Sequence, residues 1–218
     1  MKNRKPCLPH QNGEKRPFDL ILFDLGGVLV KLSGVAQMLA WAKDIPSETE
    51  LWQRWLTSRA VRRFESGQSS PARFASAVID EFNLSVTADA FLAAFAQWPR
   101  TLYPGTGRLL DTLKHSYRLG VLSNTNEIHW HRFETKMTFL RCFDCTFPSF
   151  RTGRLKPDPD TFRFVAKAAG HPPARILFLD DSPLNVASAV STGMTAHTVS
   201  GVKGAREKLY ALRLMKNR

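Results

Sequence analysis

The stretch Leu20-Ile21-Leu22-Phe23-Asp24-Leu25-Gly26-Gly27-Val28-Leu29-Val30 constrains this chain most. Leu20 to Phe23 is an unbroken apolar run of the kind that forms a strand buried on both faces, as in a parallel sheet. It ends on a carboxylate, Asp24, and two glycines follow at once, so the backbone can turn sharply and approach a ligand closely. In open parallel α/β sheets, ligands bind beyond the carboxyl ends of the strands. Asp24 therefore stands where a catalytic or metal-binding acid would. Taken alone it reads first as the cap of a turn, so its meaning depends on whether other strand ends supply partners.

The rest of the chain does supply them. From 33 to 98 the periodicity turns helical. Val35, Leu39 and Ala42 share a face, Leu51, Trp55 and Leu56 follow, and Phe74, Val78, Ile79 and Phe82 recur at three-to-four spacing behind Ser70-Pro71, an N-cap and first-turn proline. Thr87 opens a further helix with Phe91, Leu92 and Phe95 inward. The segment contains no strand-like run and reads as a helical bundle inserted after the first strand, with Trp41, Trp52, Trp55 and Trp98 in its core. Beyond Tyr103-Pro104-Gly105, helices and short apolar runs alternate. A helix is predicted over 107–116, a strand over Leu119–Leu122 and a helix from Glu127. A strand follows over Phe143–Phe147, and then a helix capped by Asp158-Pro159 and stopped by Gly170. A strand over Ile176–Leu179, a helix from Ser182-Pro183 to Gly193 and a last strand over Ala196–Val199 complete the pattern. This alternation predicts an α/β fold with a Rossmann-like, doubly wound parallel sheet. The expected organisation is a core of 18–32 and 99–200, a helical cap of 33–98, a disordered basic tail of 1–17 and a basic C-terminal segment of 201–218.

Charge and cysteine use narrow the class. The chain of 218 residues carries a formal net charge of +12, but the excess is terminal. Residues 1–17 hold five Lys or Arg against Glu14, and 201–218 hold six against Glu207. The body is mildly basic, the tails are read as solvated, and no nucleic-acid motif accompanies them, so no nucleic-acid partner is expected. The three cysteines form no disulfide framework. Cys142 and Cys145 have C-x-x-C spacing without the second pair that a structural zinc site wants, and flanking Phe143 and Phe147 mark them as core. Asp24 and Lys31 interrupt the longest apolar stretch and no h-region follows the charged start, so neither a membrane span nor a signal peptide is expected, and a cytoplasmic location is the default.

Four polar clusters fall at or near strand ends: Asp24, Ser123 with Asn124, Lys156, and Asp180 with Asp181. Together they suit phosphate chemistry. A carboxylate such as Asp24 can attack phosphorus. Oxygen ligands from Asp24 and the Asp180–Asp181 pair suit a hard cation such as Mg²⁺, which would relieve repulsion between these acids and an incoming phosphate. Ser123 and the amides opening the next helix can donate to phosphate oxygens, and Lys156 balances charge on the nucleophile and in the transition state.

Asp24-Leu25-Gly26-Gly27-Val28, Leu122-Ser123-Asn124-Thr125, Lys156-Pro157-Asp158-Pro159, and Leu179-Asp180-Asp181-Ser182 with Asn185, in that order and spacing, resemble the haloacid dehalogenase superfamily of aspartate-nucleophile hydrolases. The resemblance spans 18 to about 200, and 33–98 sits where that family carries its cap. It implies a phospho-aspartyl intermediate on Asp24. It implies Mg²⁺ held by Asp24, the Gly26 carbonyl and Asp181, phosphate held by Ser123, Asn124 and Lys156, and support from Asp180 and Asn185. Receiver domains also combine acids, Ser/Thr and Lys on such a sheet, but they place the acid pair on the first strand and lack a cap. Family phosphatases usually carry a second aspartate two residues after the nucleophile, as the general acid and base; here that position is Gly26. A subgroup that also has glycine there is the glucose-1-phosphate phosphatase type, similar to the N-terminal phosphatase domain of epoxide hydrolases. This chain resembles it in Ser123-Asn124-Thr125-Asn126 with His129, and in Phe64-Glu65-Ser66-Gly67 within the cap.

The resemblance implies a Mg²⁺-dependent phosphatase for a small phosphorylated metabolite, such as a sugar phosphate. Two other readings stay open: a relative that binds a phosphorylated ligand and turns over poorly, and a metal-free 2-haloacid dehalogenase-like hydrolase. For the missing acid the sequence offers His129, early in the helix after Ser123 and titrating near neutrality, although packing is its plainer role. Arg62 and Arg63 of the cap could reach a substrate.

Overall fold

The computed structural model describes residues 16–215. The chain begins with β1 (Leu20–Phe23) and, after the glycine turn, β2 (Val30–Leu32). Five helices follow: α1 (Val35–Trp41), α2 (Glu48–Thr57), α3 (Arg59–Glu65), α4 (Pro71–Glu81) and α5 (Ala88–Phe95). The chain returns through β3 (Pro99–Leu102), α6 (Thr106–Leu113), β4 (Arg118–Ser123), α7 (Glu127–Arg132), β5 (Cys145–Pro148) and α8 (Ser149–Thr152). It ends with α9 (Pro159–Ala169), β6 (Ile176–Asp180), α10 (Pro183–Ser191), β7 (Thr195–Thr198) and α11 (Gly201–Ala211).

The main sheet has the order β5-β4-β1-β6-β7, and every neighbouring pair is parallel. Strand β1 is central, between β4 and β6, which explains why its four residues are all apolar. Ile21 and Phe23 join one core cluster with Leu119, Val121, Leu177 and Leu179. Leu20 and Leu22 join the other with Leu122, Ile176 and Phe178. Helices cover both faces, and the carboxyl ends of β1, β4 and β6 lie side by side. The fold is the Rossmann-like α/β sheet that the alternation of elements predicts.

The helical segment has its own core of Met38, Leu51, Val61, Phe64, Phe74, Val78, Phe82, Phe91, Phe95 and Trp98. Its two connections to the main sheet are a feature absent from the sequence reading. Strands β2 and β3 pair antiparallel, with Val30 opposite Leu102 and Lys31 opposite Thr101, and Ser33 N–H donates to Trp98 O at 2.9 Å. Each strand is only three or four residues long and mostly exposed, so neither carries the apolar run that marks a strand in sequence.

The C-terminal segment differs from its reading as a basic tail. Val202, Ala205 and Leu209 of α11 are buried in the first core cluster, so the fold continues to 211. Lys203, Arg206 and Lys208 lie on the outer side of this amphipathic helix, away from the buried Val202, Ala205 and Leu209. Of the basic lead-in, residues 1–15, including Cys7, lie outside the described residues. Arg16 and Pro17 give their carbonyls to Arg175 at 2.5 and 3.1 Å. Cys142 and Cys145 are half-buried free thiols, and burial pushes the Cys145 thiol up to about 12, in keeping with a packing role. Among the described residues no helix is long and apolar enough to cross a membrane.

Candidate active site

Three strand ends and one loop converge. Lys156, 3% exposed in the loop after α8, sends its ammonium to Asp24 Oδ1 at 2.8 Å and Asp180 Oδ2 at 2.6 Å. Asp24 closes β1, and its N–H is fixed by Leu179 O of β6 at 2.9 Å. Asp180 is fully buried; its second oxygen accepts from Ser182 N–H at 2.8 Å and Asn185 Nδ2 at 2.9 Å. Both its oxygens are thus engaged, and its effect is to orient Lys156. Asp181 is the more exposed of the pair, with its Oδ2 lying beside Gly27. Gly27 explains why the turn needs its second glycine. Its φ is +70°, and a Cβ there would lie 2.0 Å from Asp181 Oδ2. At Gly26 a Cβ would meet only the tip of Leu32 at 2.9 Å.

Asn124 ends β4 differently from its expected role. Its Oδ1 accepts from Lys156 N–H at 2.9 Å and its Nδ2 donates to Lys156 O at 2.9 Å. The side chain is a two-point clamp on the lysine backbone, and Ser123, buried at the same strand end, lines the cavity beside it. Ser149, buried, accepts from Thr125 N–H at 2.9 Å, and its one hydroxyl proton goes to Glu65 O at 2.6 Å, the nearer of two carbonyls around it. A single hydroxyl so ties the strand end that carries Ser123 to the cap.

The electrostatics follow from burial. The Asp24 carboxyl is pushed up to about 7 by desolvation, with repulsion from Asp180 and Asp181, against the pull of Lys156. Asp181 is raised for the same reasons. Lys156 is held above its ordinary value, the two carboxylates outweighing its burial. Carboxylate oxygens of Asp24, Asp180 and Asp181 lie within 4.8 Å of one another. Crowded carboxylates and an all-oxygen donor set fit a hard divalent cation.

His129 does not take the place of the missing acid. Its Nε2 lies 2.8 Å from Phe95 O, its Nδ1 3.2 Å from Asn126 Nδ2, and its ring stacks on Phe95 at 4.1 Å. Burial lowers it to about 4. With both nitrogens bonded and the ring neutral, it joins α7 to the end of α5.

Above these groups lies a cavity of about 720 Å³ between core and cap. Its floor is Asp24, Gly26, Gly27, Ser123, Lys156 and Asp181; its roof includes Leu51, Trp52, Trp55, Leu56 and Trp98. Three of the cap tryptophans read as bundle core therefore also face the cavity. Arg62 and Glu65 line it as well, whereas Arg63 opens onto a neighbouring basic notch of Arg59, Arg62 and Arg154. In sequence Glu65 is marked only as part of a cap element; its chemistry depends on the cap folding back over β1.

Residues 18–193 match the haloacid dehalogenase-like hydrolase family. The chain is a haloacid dehalogenase-like hydrolase. It is 30% identical over 189 residues to phosphoglycolate phosphatase 1 of Pseudomonas aeruginosa, covering 80% of this chain and 66% of that protein. It is 28% identical to D-ribitol-5-phosphate phosphatase of Bacteroides thetaiotaomicron, covering 76% of this chain and 84% of the relative. The chain spans between 29% and 84% of the length of the curated relatives it matches. Among solved structures, a family enzyme of Bacteroides thetaiotaomicron in complex with magnesium and inorganic phosphate superposes with a TM-score of 0.70 at 25% identity. That match covers 84% of this chain and 94% of the other.

Proposed function

We propose that this hydrolase is a Mg²⁺-assisted phosphatase for a small phosphorylated metabolite, acting through a covalent intermediate on Asp24. The observation that carries the reading is the Lys156 ammonium bridging Asp24 and Asp180 beneath the cavity between core and cap. Two of the ammonium's three protons face those carboxylates, and the third is available to a phosphate oxygen. Lys156 so aligns the nucleophile and offsets charge on the transferring group. Ser123 offers a hydroxyl donor to the same group. Asp24, the Gly26 carbonyl and Asp181 would hold the cation, which when bound supplies charge neutralisation for the phosphoryl oxygens and the nucleophile. Asp180 and Asn185 position Lys156. The names of the two phosphatase relatives, and the magnesium and phosphate in the Bacteroides enzyme, support the assignment.

The cavity falls in the range that small ligands use, roughly 300–1,000 Å³, and its tryptophan-rich roof suits the face of a sugar or polyol phosphate. The test is phosphate release from a panel of sugar, polyol and glycolate phosphates, with Mg²⁺ and with chelator. Release that stops with EDTA and with Asp24→Asn is expected. No release from any member, or halide release from haloacids without metal, defeats the reading.

A further inference from the structure

Gly26 leaves an aspartyl-phosphate mechanism without a proton donor. An alcohol leaving as alkoxide needs a proton, and the water that later cleaves the intermediate must lose one. Among the described residues lining the cavity, the side chains that carry a carboxyl or an imidazole are Asp24, Asp181, His129 and Glu65. Asp24 is the nucleophile, Asp181 is crowded among the acids of the cation site, and His129 has both nitrogens bonded. Glu65 is left.

Its placement is built rather than incidental. Glu65 is the last residue of α3, and its carbonyl accepts the Ser149 hydroxyl at 2.6 Å, the same hydroxyl that fixes Thr125 behind Ser123. Two residues on, Gly67 has φ +73°, and a Cβ there would lie 2.3 Å from Phe150 O. The turn is thus pressed against α8, and the cap's one cavity-facing carboxyl is anchored to the core floor. That carboxyl has no hydrogen-bond or ion-pair partner among the described residues. The charges it faces are Lys156, Arg62 and Asp24.

We propose that the cap supplies the acid and base through Glu65, in place of the side chain absent at position 26. This rests on the phosphatase reading above. In the first half-reaction the Asp24 oxygen bonds phosphorus as the bond to the leaving oxygen breaks. The electron pair stays on that oxygen and takes the Glu65 proton, releasing a neutral alcohol. In the second, the Glu65 carboxylate takes a proton from water, whose oxygen bonds phosphorus while the bond to Asp24 breaks. Phosphate leaves, and Asp24 and protonated Glu65 are restored. Burial pushes the Glu65 carboxyl up to about 7, so both forms are accessible near neutral pH.

The test is Glu65→Gln in the full chain with Mg²⁺, on an alkyl phosphate and on an aryl phosphate whose phenolate leaves without a proton. With the alkyl ester, turnover falls about 10²- to 10⁴-fold. With the aryl ester, rapid quench shows one equivalent of phenolate released at near wild-type rate, then slow turnover and a trapped phospho-enzyme. Glu65→Asp, which keeps an acid, restores part of the alkyl rate and also serves if the glutamine variant does not fold. Alkyl turnover within threefold of wild type, or equal slowing of both esters without a burst, overturns the role of Glu65 and leaves the phosphatase reading standing. A wild type that releases no phosphate from either ester removes both.

Discussion

The floor of the cavity and its roof stabilise themselves by opposite means. Asp24, Lys156 and Asp180 are 7%, 3% and 0% exposed, and their charges are locked by ion pairs, the Asn124 clamp and Asn185. In the roof, Trp55 touches the rings of Phe74, Phe82, Phe95 and Trp98, while Trp52 and Leu56 face the cavity with less support. A buried charge network tolerates almost no change, because any lost partner leaves an unpaired charge. An apolar roof can exchange side chains of similar size at modest cost. The difference teaches that reaction type belongs to the floor and substrate choice to the roof, with Glu65 the point where the roof reaches into the chemistry.

The sharpest way to break this contrast is at the floor. Lys156→Met strands two buried carboxylates and is expected to cost about 3–5 kcal/mol of stability as well as all activity, read by urea denaturation. A loss under about 1 kcal/mol would show that the network is looser than its geometry. Gly27→Ala comes next. A Cβ facing Asp181 Oδ2 at 2.0 Å, on backbone at φ +70°, should raise the Mg²⁺ concentration for half-maximal activity at least tenfold, whereas Gly26→Ala, which only nudges Leu32, should change it by less than threefold.

Glu65 gives a test through pH and stability. Its folded carboxyl titrates near 7 against an ordinary 4.5. The folded state therefore binds the proton more tightly, and stability falls as pH rises from about 4.5 to 7. Glu65→Gln removes that loss, so it should be more stable than wild type by about 1–3 kcal/mol at pH 8 and close to it at pH 4, in paired melts. His129 has the reverse sign. Held neutral down to about 4, it costs stability as pH falls from 6.5 to 4. His129→Ala should lower stability by about 1–2 kcal/mol at pH 8 through its lost hydrogen bonds, yet leave the pH profile of turnover unmoved. The smallest effect belongs to the roof. Trp52→Ala should shift KM among phosphorylated substrates up to tenfold, with stability within about 1 kcal/mol of wild type.

Much of the floor is legible in one dimension. Asp24, Ser123 and the 180–181 pair each end or follow an apolar run, and strand ends in a parallel sheet gather at one edge, so they could be picked out. Lys156 sits in a loop and is legible by its residue type and its place in the order of the clusters, and the caps at Ser70-Pro71 and Asp158-Pro159 by their own local pattern. The division of labour inside the cluster could not. Asn124 clamping Lys156, and Asp180 held on both oxygens while Asp181 stays open, depend on angles between elements 24 to 156 residues apart.

The sequence by itself determined the sheet, the cap's helical character and the identity of the floor, because periodicity and strand-end chemistry are local properties of the chain. Only the tertiary structure decided that α11 completes the core, that β2 and β3 form one ribbon, that His129 is a strut and that Glu65 and Asp24 line one cavity. Each of these depends on which face of one element meets another. That is set by packing across the whole chain, and no stretch of residues encodes it alone.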